Sequence, residues 1–190
     1  MPAPSKFAHI VYRTHQFDKM IEWYTKVFDA KVQNQGDRLA FLTYDEEHHR
    51  FAFLNLGDDE SALPELSMAS KKTGVHHVAY TWDTLDGLLD QYVWMKELEC
   101  MPTFCVRHGP TLSMYYADPD NNGLEFQVDL LNVEDANNFL ESDSFNANPI
   151  GEPFEPEDLL AARDAGKSLK DFLLRSDQTL PEAGFAVEVD

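Results

Sequence analysis

The chain has 190 residues, 43% of them apolar and 12% aromatic, and a formal net charge of −19. That length suits one well-packed domain or two small modules sharing a core, and so acidic a chain argues against nucleic-acid binding, which needs a basic face. No apolar run nears the ~18 residues of a membrane span, the N-terminus lacks a signal-peptide core, and Cys100 and Cys105 are too few for a disulfide framework, so the expectation is cytoplasmic residence with no membrane partner.

Taken in order, residues 6–13 alternate as a first strand and Asp18 to Asp29 carries the period of an amphipathic helix. Three strands are predicted next, over Ala30–Gln35, Arg38–Tyr44 and His49–Leu56, with Gly36-Asp37 as one turn and Asp45-Glu46-Glu47 as a polar tip. Residues 57–73, with Gly57 and Pro64, read as a connection. The same order then recurs. Val75–Thr81 is a strand and Asp83–Leu98 a helix capped by Asp83 or Thr84. Thr103–Arg107, Thr111–Ala117 and Leu124–Leu130 are strands, the last two joined by the turn sequence Asp118-Pro119-Asp120-Asn121-Asn122-Gly123.

Residues 131–190 lie outside this pattern and hold 14 of the 34 acidic but only 4 of the 15 basic residues. Short helices are predicted over Val133–Leu140, Glu157–Asp164 and Ser168–Arg175. Phe139, Phe145, Phe154, Leu159, Leu160, Phe172 and Leu173 are too many large apolar groups for a free tail. The extension is expected to pack on the modules or on a second subunit, and a homo-oligomer is expected.

The recurrence is a duplication. His9 in Phe7-Ala8-His9-Ile10-Val11-Tyr12 and His77 in Val75-His76-His77-Val78-Ala79-Tyr80 stand 68 residues apart. Phe17, Ile21, Tyr24 and Val27 stand at the same offset from Leu85, Leu89, Tyr92 and Met95, at helical spacing. The predicted class is therefore α+β: two tandem βαβββ modules, at about residues 5–56 and 74–130, that build one shared site within a domain of residues 5–130. An acidic C-terminal extension with short helices follows at 131–190.

Three residues point to a metal. His9 and His77 open equivalent strands, expected to be buried with the imidazoles facing inward, and Glu125 falls on the last strand between Leu124 and Phe126. A carboxylate among such neighbours is costly unless its charge is compensated, and a cation compensates it. Two imidazoles and one carboxylate on one face of an octahedral ion leave three open positions, a donor set suited to Fe(II) and accepted by Mn(II). Singly, a strand histidine is also at home as a satisfied core residue. The equivalence of two of them favours a shared site.

The tandem modules and the stretch Tyr115-Tyr116-Ala117-Asp118-Pro119-Asp120-Asn121-Asn122-Gly123-Leu124-Glu125 resemble the vicinal oxygen chelate superfamily over residues 5–130, which implies that the modules form one curved mixed sheet around a metal site. Asn121 departs from the commonest form of that turn, which has glycine there, and the tolerance of asparagine for left-handed backbone accommodates it. Further segments resemble the superfamily's type I extradiol ring-cleaving dioxygenases, in a single-domain form. His48-His49-Arg50-Phe51-Ala52 is similar to their paired-histidine segment, which implies His49 as acid–base catalyst. Arg107-His108-Gly109-Pro110 is similar to the segment of their other active-site histidine, implying His108, and Ser113-Met114-Tyr115 to that of their tyrosine, implying Tyr115. The resemblance implies an Fe(II)-dependent enzyme opening a catechol-type ring with O2. A phenolic proton must leave the substrate and one must later return, work suited to a histidine near neutrality.

The residues taken alone leave other readings open. His48 and His49 also suit a solvated strand tip, and His108 a simple turn. Tyr115 and Tyr116 face opposite ways, so one of them only packs. His76 faces away from the expected ligands, His15 reads as structural, and Arg38 and Arg107 are candidates to read a substrate carboxylate. A glyoxalase-like isomerase or epimerase is the alternative activity, disfavoured because Phe51–Leu56 offers no Glu or His as a fourth ligand. A metal-free drug-binding resistance protein is the third reading. Such a protein has no use for the ligand triad.

Overall fold

The computed structural model describes residues 6–57, 75–179 and 184–186. The predicted connection over residues 57–73 therefore lies outside it except for Gly57. The first module runs β1 (Ile10–Thr14), α1 (Phe17–Phe28), β2 (Lys31–Gln35), β3 (Leu39–Thr43) and β4 (Phe51–Asn55). The second runs β5 (His77–Thr81), α2 (Leu85–Glu97), β6 (Phe104–Arg107), β7 (Thr111–Ala117) and β8 (Gly123–Asp129). Both are βαβββ, as the repeat predicts, in an α+β fold.

Hydrogen bonding divides the strands into two mixed sheets. The first has the order β1-β4-β3-β2, with β1 parallel to β4 and the remaining pairs antiparallel. In the second, β5 lies parallel to β8, and β7 and β6 follow. The chain divides into two compact units, of which the first takes module 1 together with the turn Ala117–Asn122 and the second takes the rest.

Each helix covers its own sheet with the face that the repeat marks out. Phe17, Met20, Ile21, Tyr24 and Val27 of α1 are buried, and so are Leu85, Leu88, Leu89, Tyr92 and Met95 of α2, each pair 68 residues apart. Burying one such side chain is worth ~1.5–3 kcal/mol, which outweighs the modest propensities of either sequence. Thr84 is the cap of α2, its hydroxyl accepting from Gly87 N–H at 3.0 Å. Both helices stop at a left-handed residue, Asp29 (φ 49°) and Glu99 (φ 58°). The offset there is 70, so α2 has drifted longer than its counterpart.

The acidic turn belongs to the first unit. Asp118 Oδ1 accepts from the amides of Asp120 and Asn122 at 2.9 and 2.8 Å, while Oδ2 accepts from Asn122 Nδ2 at 2.8 Å and the Tyr24 hydroxyl at 3.1 Å. Burial pushes the Asp118 carboxyl up to about 6, and the donors from Asn122 and Tyr24 oppose that rise. Asn121 adopts φ 61°, the left-handed backbone its side chain tolerates. Because Asp118 organises the whole turn, Asp118→Ala should lower stability by ~2–4 kcal/mol, read as a shift of the urea midpoint at constant slope.

The extension adds α3 (Val133–Leu140), α4 (Asp143–Ala147), β9 (Glu152–Pro153), α5 (Pro156–Asp164) and α6 (Lys170–Leu173). Sequence reasoning missed α4 and β9. Strand β9 pairs antiparallel with β6 and closes that edge of the second sheet. A side chain at Gly151 (φ 103°) would collide with the Arg107 carbonyl, so the close approach requires glycine. Leu159, Ala162, Leu169 and Leu173 are buried, and Tyr92 of α2 donates to Glu157 of α5 at 2.7 Å. The extension is thus part of the second unit.

Candidate active site and metal centre

Strand alternation places Glu125. Leu124, Phe126 and Val128 point into the core and leave Glu125 on the opposite face of β8, yet it is only 6% exposed. Its parallel partner on β5 is Ala79, and Gly123 stands opposite His77. A Cβ at Gly123 would lie 2.5 Å from the His76 carbonyl oxygen, so glycine lets β8 start tightly beside the histidine strand.

Three side chains converge on the Glu125 carboxylate. His77 Nε2 lies 3.0 Å from Oε2, and the Tyr115 hydroxyl donates to Oε1 at 2.9 Å. His108 Nε2 lies 2.9 Å from the same hydroxyl and 3.7 Å from Oε1. The rings of His77 and Tyr115 meet edge to face at 5.2 Å. Burial and the charge of Glu125 raise the pKa of Tyr115, so it remains a phenol and a donor. Burial lowers that of His108, with Glu125 opposing. Tyr116, by contrast, is buried against Phe126 with its hydroxyl on the Met114 sulfur, so it is the tyrosine that only packs.

His108 is held from behind, its Nδ1 lying 2.6 Å from the Ile150 carbonyl oxygen. A carbonyl only accepts, so Nδ1 carries the proton and a neutral ring presents a lone pair at Nε2. The Tyr115 proton therefore has two claimants, Glu125 Oε1 and His108 Nε2. Sequence reasoning missed Ile150, although Asn148-Pro149-Ile150-Gly151 has the composition of a turn.

The donors present fit a metal ion. Two ligands ~2.1 Å from one ion and at right angles to each other stand ~3.0 Å apart, the separation of His77 Nε2 and Glu125 Oε2. The same spacing is that of a hydrogen bond between the His77 ring and the carboxylate. Among the described residues, no group of three or more His, Cys, Asp or Glu side chains stands gathered around one point. His77 and Glu125 come together in the second unit. His9 lies in the first.

In the first unit, parallel pairing sets Ile10 against Phe51 and so brings His9 beside the 48–50 segment. Arg50 secures that entry by donating to the carbonyls of Phe7 and Ala8 at 2.5 and 3.0 Å. The rings of His9 and His49 are 4.4 Å apart, and Phe41 meets His49 edge-on at 4.7 Å. His48 Nδ1 lies 2.5 Å from His49 Nδ1, so Nε2 is the nitrogen left for chemistry at His49. Burial, then the neighbouring His9 and His48, lowers the His49 pKa and keeps it neutral at pH 7. The strand-borne histidines are less enclosed than their sequence suggests. His9 is exposed just ahead of β1, and His77, first in β5, retains 31% side-chain exposure.

Other candidates have different work. The Arg107 guanidinium donates to the carbonyls of Phe172, Leu174 and Pro153, which removes it as a substrate reader. His15 Nδ1 lies 2.7 Å from the Gly57 carbonyl, a structural bond. Arg38 lines an open hollow of the first unit with Leu39, Leu54 and Leu56.

A duplicated βαβββ unit with a carboxylate on its last strand defines a known class. Residues 6–126 match the family model described as Glyoxalase/Bleomycin resistance protein/Dioxygenase superfamily, and the chain belongs to that superfamily. Within it, the chain is 41% identical over 167 residues to biphenyl-2,3-diol 1,2-dioxygenase 2 of Rhodococcus globerulus, covering 87% of this chain and 85% of that one. It is 36% identical to biphenyl-2,3-diol 1,2-dioxygenase 3 of the same organism, over 87% and 86% of the two chains. A crystal structure of a glyoxylase/bleomycin resistance protein/dioxygenase domain from Frankia sp. EAN1pec superposes with a TM-score of 0.55 at 16% identity, covering 67% of this chain and 99% of that one, a likeness of fold.

Proposed function

We propose that this protein is an extradiol dioxygenase that opens the ring of a catechol-type substrate with O2. The observation that carries the proposal is the convergence of His77, Tyr115 and His108 on the buried Glu125, in a chain with near full-length similarity to two diol dioxygenases.

His77 and Glu125 would hold the metal, with His9 the third ligand by its equivalence to His77 in the repeat. Bound Fe(II), or Mn(II) with the same ligands, supplies Lewis acidity toward the diol oxygens and the one-electron chemistry that ground-state O2 requires. The remaining work falls to the chain. Neutral His49 accepts a phenolic proton at Nε2 and returns one later in the reaction. Tyr115 donates a hydrogen bond to a substrate oxygen once the charge of Glu125 is neutralised and no longer claims its hydroxyl. His108, held at Nδ1 by Ile150, keeps Nε2 turned toward that hydroxyl. Cytoplasmic residence and a homo-oligomer belong to the same reading, supported for the latter by the exposed Val133, Leu140 and Ile150 of the extension.

The test is anaerobic loading with Fe(II) and then a panel of catechols, biphenyl-2,3-diol among them, followed by oxygen uptake. The expected result is one O2 consumed per ring and a yellow semialdehyde product. No ring cleavage across simple and substituted catechols under Fe(II)-replete conditions would overturn the assignment and turn attention to isomerase substrates.

A further inference from the structure

Arg175 lies just past α6, and its guanidinium is among the most deeply buried groups in the protein, with 1% exposure. A guanidinium taken out of water is costly unless it is paired and fully hydrogen-bonded. All five donors are used. Nε and Nη2 reach the two oxygens of Asp177 at 2.9 and 2.7 Å. Nη1 donates to the carbonyls of Asn148 and His108 at 2.8 and 3.2 Å, and Nη2 to that of Ser144 at 3.5 Å. The Phe139 ring lies against one face, 5.4 Å from centroid to guanidinium carbon.

Two of those carbonyls bear on the candidate site. One belongs to His108 itself. The other opens the turn Asn148–Gly151, which Asn148 closes by donating to the Gly151 carbonyl and accepting from its amide, each at 3.0 Å. That turn aims the Ile150 carbonyl at His108 Nδ1. Arg175 thus grips the backbone of His108 and the start of the turn that holds its ring. Gln178 adds a bond to the next carbonyl, Gly109, at 3.3 Å. A guanidinium fork spans both anchors as a single rigid group, which a flexible lysine does less well.

We propose that Arg175, acting through the Asn148–Gly151 turn, is a positioning residue for His108. It fixes the ring with Nδ1–H on Ile150 and Nε2 toward Tyr115. Residues 148–178 are thereby part of the working site rather than a cover on the fold, an inference that rests on the ring-cleaving role proposed above for its effect on rate.

The experiment reads the His108 ring directly. Long-range ¹⁵N–¹H spectra of the metal-free, full-length protein report which ring nitrogen carries hydrogen, with His108 identified by its loss in His108→Gln. The wild type should show a single Nδ1–H form. Arg175→Met and Asn148→Ala should show a mixture of the two tautomers, and Arg175→Lys should fall between. In the Fe(II)-loaded enzyme, turnover should drop ~10–100-fold in Arg175→Met and Asn148→Ala, the scale of losing a group that orients another, while KM moves less than ~3-fold. If Arg175→Met does not fold, Asn148→Ala decides, since Asn148 is only half-buried. An unchanged ring signature in a folded variant, or full turnover despite a mixed ring, would overturn the proposal. A wild type that cleaves no catechol removes the ring-cleaving assignment, and the tautomer spectra alone then decide whether Arg175 sets the ring.

Discussion

Glu125→Ala is expected to leave purified protein without bound metal after dialysis and without measurable ring cleavage. The wild type should retain close to one Fe(II) or Mn(II) per chain by elemental analysis. Removing a group that only orients a ligand costs ~10–100-fold in affinity or activity, and losing a ligand outright costs more. Glu125 has a second claim on the site, because both of its oxygens already anchor neighbours, His77 at 3.0 Å and the Tyr115 hydroxyl at 2.9 Å. The alanine variant leaves that hydroxyl to His108 Nε2 alone. His77→Ala should likewise empty the site, as should His9→Ala, the one of the three that tests the ligand assigned to the first unit. Full metal content and activity in Glu125→Ala would remove the carboxylate from the centre.

His49→Phe should behave in the opposite way, keeping the metal and losing turnover. The His49 ring packs between His9 at 4.4 Å and the edge of Phe41 at 4.7 Å, and a phenyl ring preserves both contacts. What disappears is a neutral nitrogen that can take a proton. General acid–base groups are worth ~10²–10⁴ in rate, so kcat should fall by that factor with metal content unchanged. Stopped-flow traces should still register catechol binding. Equal rates of semialdehyde formation in mutant and wild type would exclude His49 as the proton carrier.

Much of this was legible in the linear sequence, for a physical reason. A helix packed on a sheet needs apolar residues three and four apart, and a half-buried strand needs them two apart. Those constraints act between near neighbours, so the duplication marks both helix faces, most strands and the position of Glu125 opposite Leu124 and Phe126. The turn at Asn121 was legible on the same terms, since left-handed backbone is a local property. Strand ends were less so. The sequence starts the first strand at residue 6, whereas pairing with β4 begins at Ile10, because a strand extends only as far as it has a partner.

What only the tertiary structure decided are interactions whose partner has no side-chain signature. The ring of His108 is set by the backbone carbonyl of Ile150, 42 residues away, and any residue can supply a carbonyl. Arg107 and Arg175 look alike in sequence, each a basic residue that follows three apolar ones and precedes a polar one. Chain folding spends the first on the carbonyls of Phe172, Leu174 and Pro153 and buries the second behind His108. The two-residue strand β9 exists only because β6 presents an open edge to it, and two residues carry no period to read. Sequence by itself determined which residues are chemically able to work here. The long-range hydrogen bonds of the folded chain decided how His108 and Tyr115 are aimed at Glu125, because side-chain orientation depends on neighbours that the linear order does not bring together.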